Sequence, residues 1–191
     1  MVAAMRSPER DMPALRAATG AADDDHRLIG VQLDLLDPES ISAAAKAIEE
    51  ALGGTGTAAP YAVVHNAGIS AAGMVEESDM SLWQNMFGTH VLGPVALTKA
   101  LLPAMRVAGA GRIVVVSSAG GVRGQPGIAA YSAAKGALER WAESMAGEIA
   151  PFGLGVTVLI AGTYDTDIIT DAGTTDEIGR ASCRERVSSP V

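Results

Sequence analysis

Apolar residues in this chain form short continuous runs that alternate with longer segments of helical period. The runs typical of buried strands are residues 2–5, 28–33, 61–64, 113–116 and 156–160. The segments with the spacing of amphipathic helices are residues 8–19, 38–52, 81–105 and 129–149. Strands that are apolar throughout and alternate with helices predict a parallel sheet covered on both faces. The predicted fold class is therefore a doubly wound α/β fold.

Residues that start, stop or bend helices agree with this division. Ser7 and Asp37 are N-cap types, and each is followed by a proline, which favours the first helical position. Gly53 and the glycine after it end the second helix. Pro94 lies inside the third and predicts a bend there. The chain shows no internal repeat or interdomain linker, so we expect one domain.

Three polar residues form the main candidate for chemistry. Ser118 closes the fourth strand, whereas Tyr131 and Lys135 are four residues apart and so share one face of the last helix. A free phenol has a pKa of about 10, and a nearby ammonium favours its ionised form. With a hydroxyl to hold a substrate oxygen, the set can move a proton for a carbonyl/alcohol pair. The alternative is an unrelated helix-surface pair beside a strand-end serine.

Polar residues and short motifs also follow the other strands. Asp34 and Leu35 follow the second strand, and Asn66, Ala67 and Gly68 follow the third. Thr166 follows the fifth strand. In an open parallel sheet, ligands bind beyond the carboxyl ends of the strands. These residues are therefore expected to line the same edge as Ser118.

Taken in order, these motifs resemble the short-chain dehydrogenase/reductase family. His65-Asn66-Ala67-Gly68 stands where the family carries Asn-Asn-Ala-Gly, and Ser118, Tyr131 and Lys135 have the family's catalytic spacing. The resemblance implies an NAD(P)-dependent oxidoreductase that interconverts a carbonyl and an alcohol by hydride transfer. In that reading Tyr131 is the general acid and base, Lys135 lowers its pKa, and Ser118 orients the substrate oxygen.

The resemblance also implies which residues contact the cofactor. They are Arg6, Asp34, Leu35, Asn66, Ala67, Gly68, Tyr131, Lys135 and Thr166. An acidic residue at the end of the second strand of this fold binds the ribose 2′-hydroxyl of NAD. Met5 stands there instead, and Arg6 next to it can pair with a 2′-phosphate. The expected cofactor is therefore NADP rather than NAD.

Three positions depart from the family pattern. His90 stands where the family usually places an asparagine that supports a water in the proton path, so it acts in proton relay or is a packed polar residue. His65 replaces the first asparagine of its motif, and we expect a structural role for it. Ala161 replaces a proline. The family's use of the two long helices to pair subunits implies a homo-oligomer.

The glycine-rich turn that holds a dinucleotide's diphosphate is not found in this sequence. Residues 53–56 are rich in glycine but follow a helix and precede a strand, which is the wrong context. We therefore expect the chain to begin at the second strand of the fold, without the central strand, phosphate loop and first helix. We therefore expect the oxidoreductase activity of the complete parent protein, and expect this chain by itself to be a non-catalytic truncated fragment. A dinucleotide-binding module of the same fold is the other alternative.

The end of the chain has no apolar period. Reverse translation of residues 177–187 gives a reading similar to a common sequencing adapter. We expect residues 1–176 to be a partial dinucleotide-binding oxidoreductase domain and residues 177–191 to be read-through rather than native. The alternative is an ordinary disordered tail.

The composition of the chain argues against some classes of binding partner. The chain has 191 residues and a net charge of −8 without basic runs, which argues against nucleic acid and anionic membranes. No apolar stretch in the sequence looks long enough to span a bilayer, and the single cysteine, Cys183, excludes an internal disulfide. We expect a cytoplasmic protein without a metal site that acts on a small molecule.

Overall fold

The structure is a computed structural model that describes residues 1–53 and 59–162. The strands are β1 Val2–Met5, β2 Ile29–Gln32, β3 Ala62–His65, β4 Gly111–Ser118 and β5 Leu154–Ala161. The helices are α1 Pro8–Thr19, α2 Pro38–Ala51, α3 Met80–Phe87, α4 Gly93–Ala108, α5 Ala119–Val122 and α6 Ala129–Ile149. Every strand predicted from the sequence is present, within two residues at each end. The short helix α5 has no apolar period, and the sequence did not predict it.

The strands pair in parallel, as predicted, but in two separate groups. β1 pairs with β2, and β3, β4 and β5 form a second sheet with β4 in the middle. Val63 lies opposite Ile113, which lies opposite Val156, so the side chains of these residues share one face. Parallel pairing with helical crossovers confirms the predicted α/β class.

The two sheets lie on either side of a cleft. Within the described residues no strand joins β1 to β3. A cavity of about 600 Å³ lies between them. Its walls come from both sheets and from α2 and α4, and include Val2, Ala4, Leu33, Val63, Leu97 and Leu101. The residues that would flank a central strand therefore border an open, mainly apolar space.

One hydrophobic core nevertheless connects the two sheets. It runs from Val31 on β2 through Ile48 on α2 to Leu101 on α4, and on to Ile113 on β4 and Leu138 on α6. Helices cover the face of the three-stranded sheet that carries Val63 and Ile113. On the opposite face Val64 is 58% exposed and Leu159 is 54% exposed. The prediction that helices cover both faces holds for only one face of this sheet within the described residues.

Helices α3 and α4 form one helical run that is interrupted where the sequence predicted a bend. The π-helical turn Gly88–Leu92 joins them, and the amide of Gly93 donates to Gly88 O, five residues earlier. Pro94 follows at once and has no amide hydrogen to donate. A proline at this place favours a local change of register over a smooth α-helix. The bend predicted at Pro94 is therefore a π turn just before it.

The helical run Met80–Ala108 also corrects the expectation about membrane length. By length and composition alone it could cross a membrane. Core helices of soluble proteins meet the same criteria. Here Leu97, Leu101 and Met105 of this run are buried in the core against α2 and the sheet.

Candidate active site at the carboxyl end of β4

Successive side chains at the end of β4 point to opposite faces of the sheet. Ser117 is buried at 2% exposure beneath helix α6, whereas the next residue, Ser118, is half-buried at the edge of the sheet. This alternation follows from the pleat of a strand. The Ser118 hydroxyl oxygen accepts a hydrogen bond from Gly120 N at 3.2 Å, which makes it the N-cap of α5. Ser118 is thus placed, as predicted, at the carboxyl edge of the sheet.

Tyr131 and Lys135 lie on the face of α6 that turns toward this edge. Lys135 Nζ is 5.8 Å from the centre of the Tyr131 ring and donates to Val116 O at 2.9 Å. A Cβ built on Gly120 would lie 3.4 Å from Tyr131 Cε1, so the turn after Ser118 packs on the ring. The structure therefore brings the three predicted residues together.

The environment of Lys135 lowers the pKa of its ammonium. The residue is only 5% exposed. Burial lowers the pKa to about 8, and the negative charge of Glu139 opposes the shift. At neutral pH Lys135 is therefore still mostly protonated, but its proton is held less firmly than that of a surface lysine.

His90 closes the site from the π turn. Its ring meets that of Tyr131 edge to face with centres 5.5 Å apart, and its Nε2 lies 2.7 Å from Ile69 O. The Ile69 amide nitrogen lies 3.3 Å from the same Nε2. The shorter contact with the carbonyl oxygen favours a proton on Nε2, which leaves Nδ1 as an acceptor. Among the described residues this buried Nδ1 has no hydrogen-bond partner.

His90 is neutral at physiological pH. Burial is the main cause that lowers its pKa to about 4, and the charge of Lys135 adds to the effect. The loop after β3 packs tightly on the ring: a Cβ on Gly68 would lie 2.8 Å from His90 Cε1 and 3.8 Å from Lys135 Nζ. A side chain at Gly68 would therefore displace the imidazole. Both roles that the sequence left open for His90, proton relay and packing, are compatible with this position.

His65 has a packing role, as expected. It is buried, its Nε2 lies 2.8 Å from Thr98 Oγ1, and its ring meets Trp141 edge to face at 5.9 Å. Burial lowers its pKa to about 4. These contacts connect β3 to α4 and α6.

A buried carboxylate near the site was missed in the sequence. Glu139 is 4% exposed, and its Oε1 accepts a hydrogen bond from Ser117 Oγ at 2.5 Å. The signal was present, because Glu139 follows Lys135 by four residues just as Lys135 follows Tyr131. A charged residue on an apolar helix face is rare enough to mark a specific contact.

The candidate cofactor residues lie at the strand ends but are less buried. Asn66 and Ala67 are exposed just after β3. Asp34 accepts from Leu36 N at 2.9 Å, and its own amide donates to Ser40 Oγ at 2.9 Å, which fixes the loop after β2. A Cβ on Gly93 would lie 2.6 Å from Leu35 Cβ, so this loop also packs on the π turn.

Arg6 is exposed just after β1. Its charge is one of the smaller causes that lower the pKa of Asp11; the hydrogen bond from Arg10 is the largest. Thr166, the last of the predicted cofactor contacts, lies outside the described residues, as does Cys183.

The donor set fits parts of a nicotinamide dinucleotide. Lys135 Nζ uses one of its hydrogens on Val116 O and keeps others for a ribose hydroxyl. The fixed loop at Asp34 and Leu35 suits the adenine end. The described residues offer no glycine-rich turn opening a helix between β1 and β3, where the diphosphate of such a cofactor binds in this fold. The residues present thus fit the two ends of the cofactor.

Comparison with known proteins gives the same assignment. Residues 1–177 match the family profile described as short chain dehydrogenase. The chain is 33% identical over 171 residues to the oxidoreductase YusZ of Bacillus subtilis, covering 88% of this chain and 58% of YusZ. It is 36% identical over 154 residues to dehydrogenase/reductase SDR family member 7B of Xenopus laevis, covering 81% of this chain and 46% of that protein. The chain thus spans about half the length of the curated relatives it matches.

A solved structure has the same fold. The short-chain dehydrogenase/reductase of Burkholderia phymatum, determined in complex with NAD, superposes with a TM-score of 0.78 at 25% identity. The match covers 100% of this chain and 71% of that one. With the profile match, the relatives and the geometry at the end of β4, the chain belongs to the short-chain dehydrogenase/reductase family of oxidoreductases.

Proposed function

We propose that the protein is an NAD(P)-dependent oxidoreductase that interconverts a carbonyl and an alcohol, with Tyr131 as general acid and base. The observation that carries the proposal is the meeting of Tyr131, Lys135 and Ser118 at one strand end. Lys135 Nζ lies 5.8 Å from the Tyr131 ring centre, and the turn that Ser118 caps packs on the same ring. A bound nicotinamide cofactor supplies or accepts the hydride.

Each residue has a separate task in this proposal. The Tyr131 hydroxyl gives its proton to the carbonyl oxygen during reduction and takes it back during oxidation. The Ser118 hydroxyl donates to the same oxygen and fixes its direction. The Lys135 ammonium favours the ionised form of the phenol after the proton leaves, and holds a ribose hydroxyl. His90 is neutral and supports Tyr131 through its ring edge.

NADP is the proposed cofactor, because Arg6 follows β1 where an acidic residue would select NAD. An arginine can pair with the 2′-phosphate in a bidentate manner. The relative solved with NAD has the same fold, so the family scaffold alone does not decide the choice. An Arg6→Asp variant should reverse the ratio of kcat/KM for NADPH and NADH. If the wild type prefers NADH, the assignment to NADP is wrong.

The direct test of the acid–base role is Tyr131→Phe. Removing one hydroxyl should lower kcat for NADPH-dependent reduction of a panel of ketones and aldehydes by about 10²–10⁴-fold, with the Kd for NADPH little changed. Tyr61→Phe is the control, because Tyr61 is exposed and lies just before β3. Retention of activity within about tenfold in Tyr131→Phe would assign the proton to another group.

A non-catalytic protein of the same fold is the second candidate. The cleft between β1 and β3 favours it. A cofactor diphosphate in this fold binds at the edge where that cleft opens, and the described residues place no strand there. Calorimetric titration with NADPH separates the two. A saturable site with a micromolar Kd supports the enzyme, and no measurable heat of binding supports the second candidate.

A further inference from the structure

Helix α6 is fixed to the end of β4 at two successive points. Lys135 Nζ donates to Val116 O at 2.9 Å, and one turn later Glu139 Oε1 accepts from Ser117 Oγ at 2.5 Å. Val116 and Ser117 are neighbours on the strand, so the two contacts set both the position and the rotation of the helix. Ser118 follows directly on the strand.

The turn after Ser118 rests on this second contact. A Cβ built on Gly121 would lie 2.5 Å from Glu139 Oε1 and 2.9 Å from Ser117 Oγ. A Cβ on Gly136 of α6 would in turn lie 3.2 Å from Gly121 O. Only glycine at position 121 allows the turn to approach so closely. The carboxylate of Glu139 is therefore enclosed by the strand, the turn and its own helix.

Few ionisable groups face Lys135. On α6 they are Tyr131 and Glu139, and from the π turn His90, which is neutral above a pKa of about 4. Helices α3 and α5 and strand β5 carry no ionisable side chain, and β4 has only Arg112, at its opposite end. Of the three glutamates on α6, Glu139 is the one within a turn of Lys135, whereas Glu143 and Glu148 lie farther along the helix. The other oxygen of Glu139 lies 3.8 Å from the guanidinium of Arg140.

We propose that Glu139 is a positioning residue: its carboxylate keeps the Lys135 ammonium charged and, through Ser117, holds the turn after Ser118 against α6. The importance of that charge rests on the proposed function, in which Lys135 acts on Tyr131. Burial opposes the charge, because an ammonium out of water loses its hydration. The nearby carboxylate offsets part of that loss.

The chain allows a direct measurement, because it has only three lysines, Lys46, Lys99 and Lys135. With ¹³Cε-labelled lysine, NMR titration of the whole chain follows each one separately, and Lys135→Met assigns the signal. Glu139→Gln keeps the shape and an acceptor oxygen but removes the charge. It should lower the pKa of Lys135 by about 0.5–1 unit.

The matched control is Glu143→Gln, which removes the same charge from the same helix. Glu143 is exposed and pairs with Arg140 at 2.8 Å, so the pKa of Lys135 should stay within about 0.2 unit. No shift in Glu139→Gln, or an equal shift in both variants, overturns the proposal.

The hydrogen bond to Ser117 has its own test, which also decides the matter if Glu139→Gln does not fold. Ser117→Ala should speed hydrogen exchange of the Arg123 amide, which donates to Ala119 O at 3.1 Å and closes the turn, by at least about tenfold. Thr98→Val, which removes the buried hydroxyl beside His65, should leave that amide unchanged. Unchanged exchange in Ser117→Ala overturns the proposal. Neither measurement needs cofactor or turnover, so a failure of the redox activity alone would count only against the proposed function.

Discussion

Two regions of this molecule, one around β4 and one around β1, differ sharply in strand pairing and in burial. All eight residues of β4 pair with β5 and four of them also pair with β3 on the other edge, and Ile113 and Val115 in it are 0% exposed. β1 has four residues paired on one edge, and the helix that follows it, α1, has no buried residue. Tyr131 and Lys135 belong to the first region, whereas Arg6 belongs to the second.

The difference shows how the two parts of the candidate site are held. The residues proposed to transfer the proton sit on elements whose own core contacts fix them, so their geometry does not depend on a ligand. Arg6 follows a thin, half-exposed strand, so a bound ligand would have to order its side chain. In the proposed function the acid–base geometry is therefore a property of the core, and the choice of cofactor would be a property of the surface.

The largest expected effect is on stability in the well-packed region. Ile113→Ala should lower the free energy of unfolding by about 3–5 kcal/mol, because it leaves a cavity between the sheet and α6. Val2→Ala, in the half-buried β1, should cost about 1 kcal/mol or less. Urea denaturation of both variants measures the loss in free energy of unfolding, and equal losses would contradict the difference in packing.

Acid should lower the stability of the well-packed region, because two buried histidines lie in it. Burial lowers the pKa of His65 and of His90 from 6.5 to about 4. Each stays neutral when folded but binds a proton when unfolded. The stability from each is therefore complete above about pH 6.5 and lost as the pH falls toward 4.

Between pH 7 and pH 5 the loss should be roughly 1–2 kcal/mol for each histidine. Denaturation at several pH values measures it, with His65→Gln as the variant that reduces the slope. Proton NMR of the three histidines, with exposed His26 as the reference, should show the signals of both buried rings unchanged above pH 5. Titration of His65 or His90 near pH 6.5 would remove this explanation.

The smallest effect compares two helix caps. Asp37 accepts from Glu39 N at 2.9 Å and caps α2, which packs in the core, whereas Ser7 starts α1 without a side-chain hydrogen bond. Asp37→Ala should cost about 1 kcal/mol, and Ser7→Ala close to zero. Thermal or urea unfolding of the two variants is sufficient. A loss for Ser7→Ala as large as that for Asp37→Ala would mean that α1 contributes more than its packing indicates.

Local patterns in the sequence predicted most of the elements. Continuous apolar runs give strands, caps give helix starts, and Asp37 is the cap that both the pattern and the structure assign. Ser7 was predicted on the same ground, but its side chain makes no capping bond. The family resemblance is confirmed. The NADP preference, the homo-oligomer, the cytoplasmic location and the nature of residues 177–191 stay predictions.

The burial of single polar groups could not be predicted in this way. The spacing places Glu139 on the helix face of Lys135, but its burial depends on a hydrogen bond to Ser117, which lies 22 residues away in the chain. The unpartnered Nδ1 of His90 and the π turn that carries it depend on how close α4 comes to the loops after β2 and β3. Such contacts depend on packing distances that no local pattern contains.

The sequence by itself determined the order of the elements and the placing of Ser118, Tyr131 and Lys135 on strand and helix, because these follow from periods of two and 3.6 residues. Only the tertiary structure decided that β1 and β3 border a cleft, that one face of the sheet is uncovered by the described residues, and that a buried carboxylate lies one helical turn from Lys135. The physical reason is that backbone preferences act over a few residues. Burial, which sets charges and cavities, arises where distant segments meet.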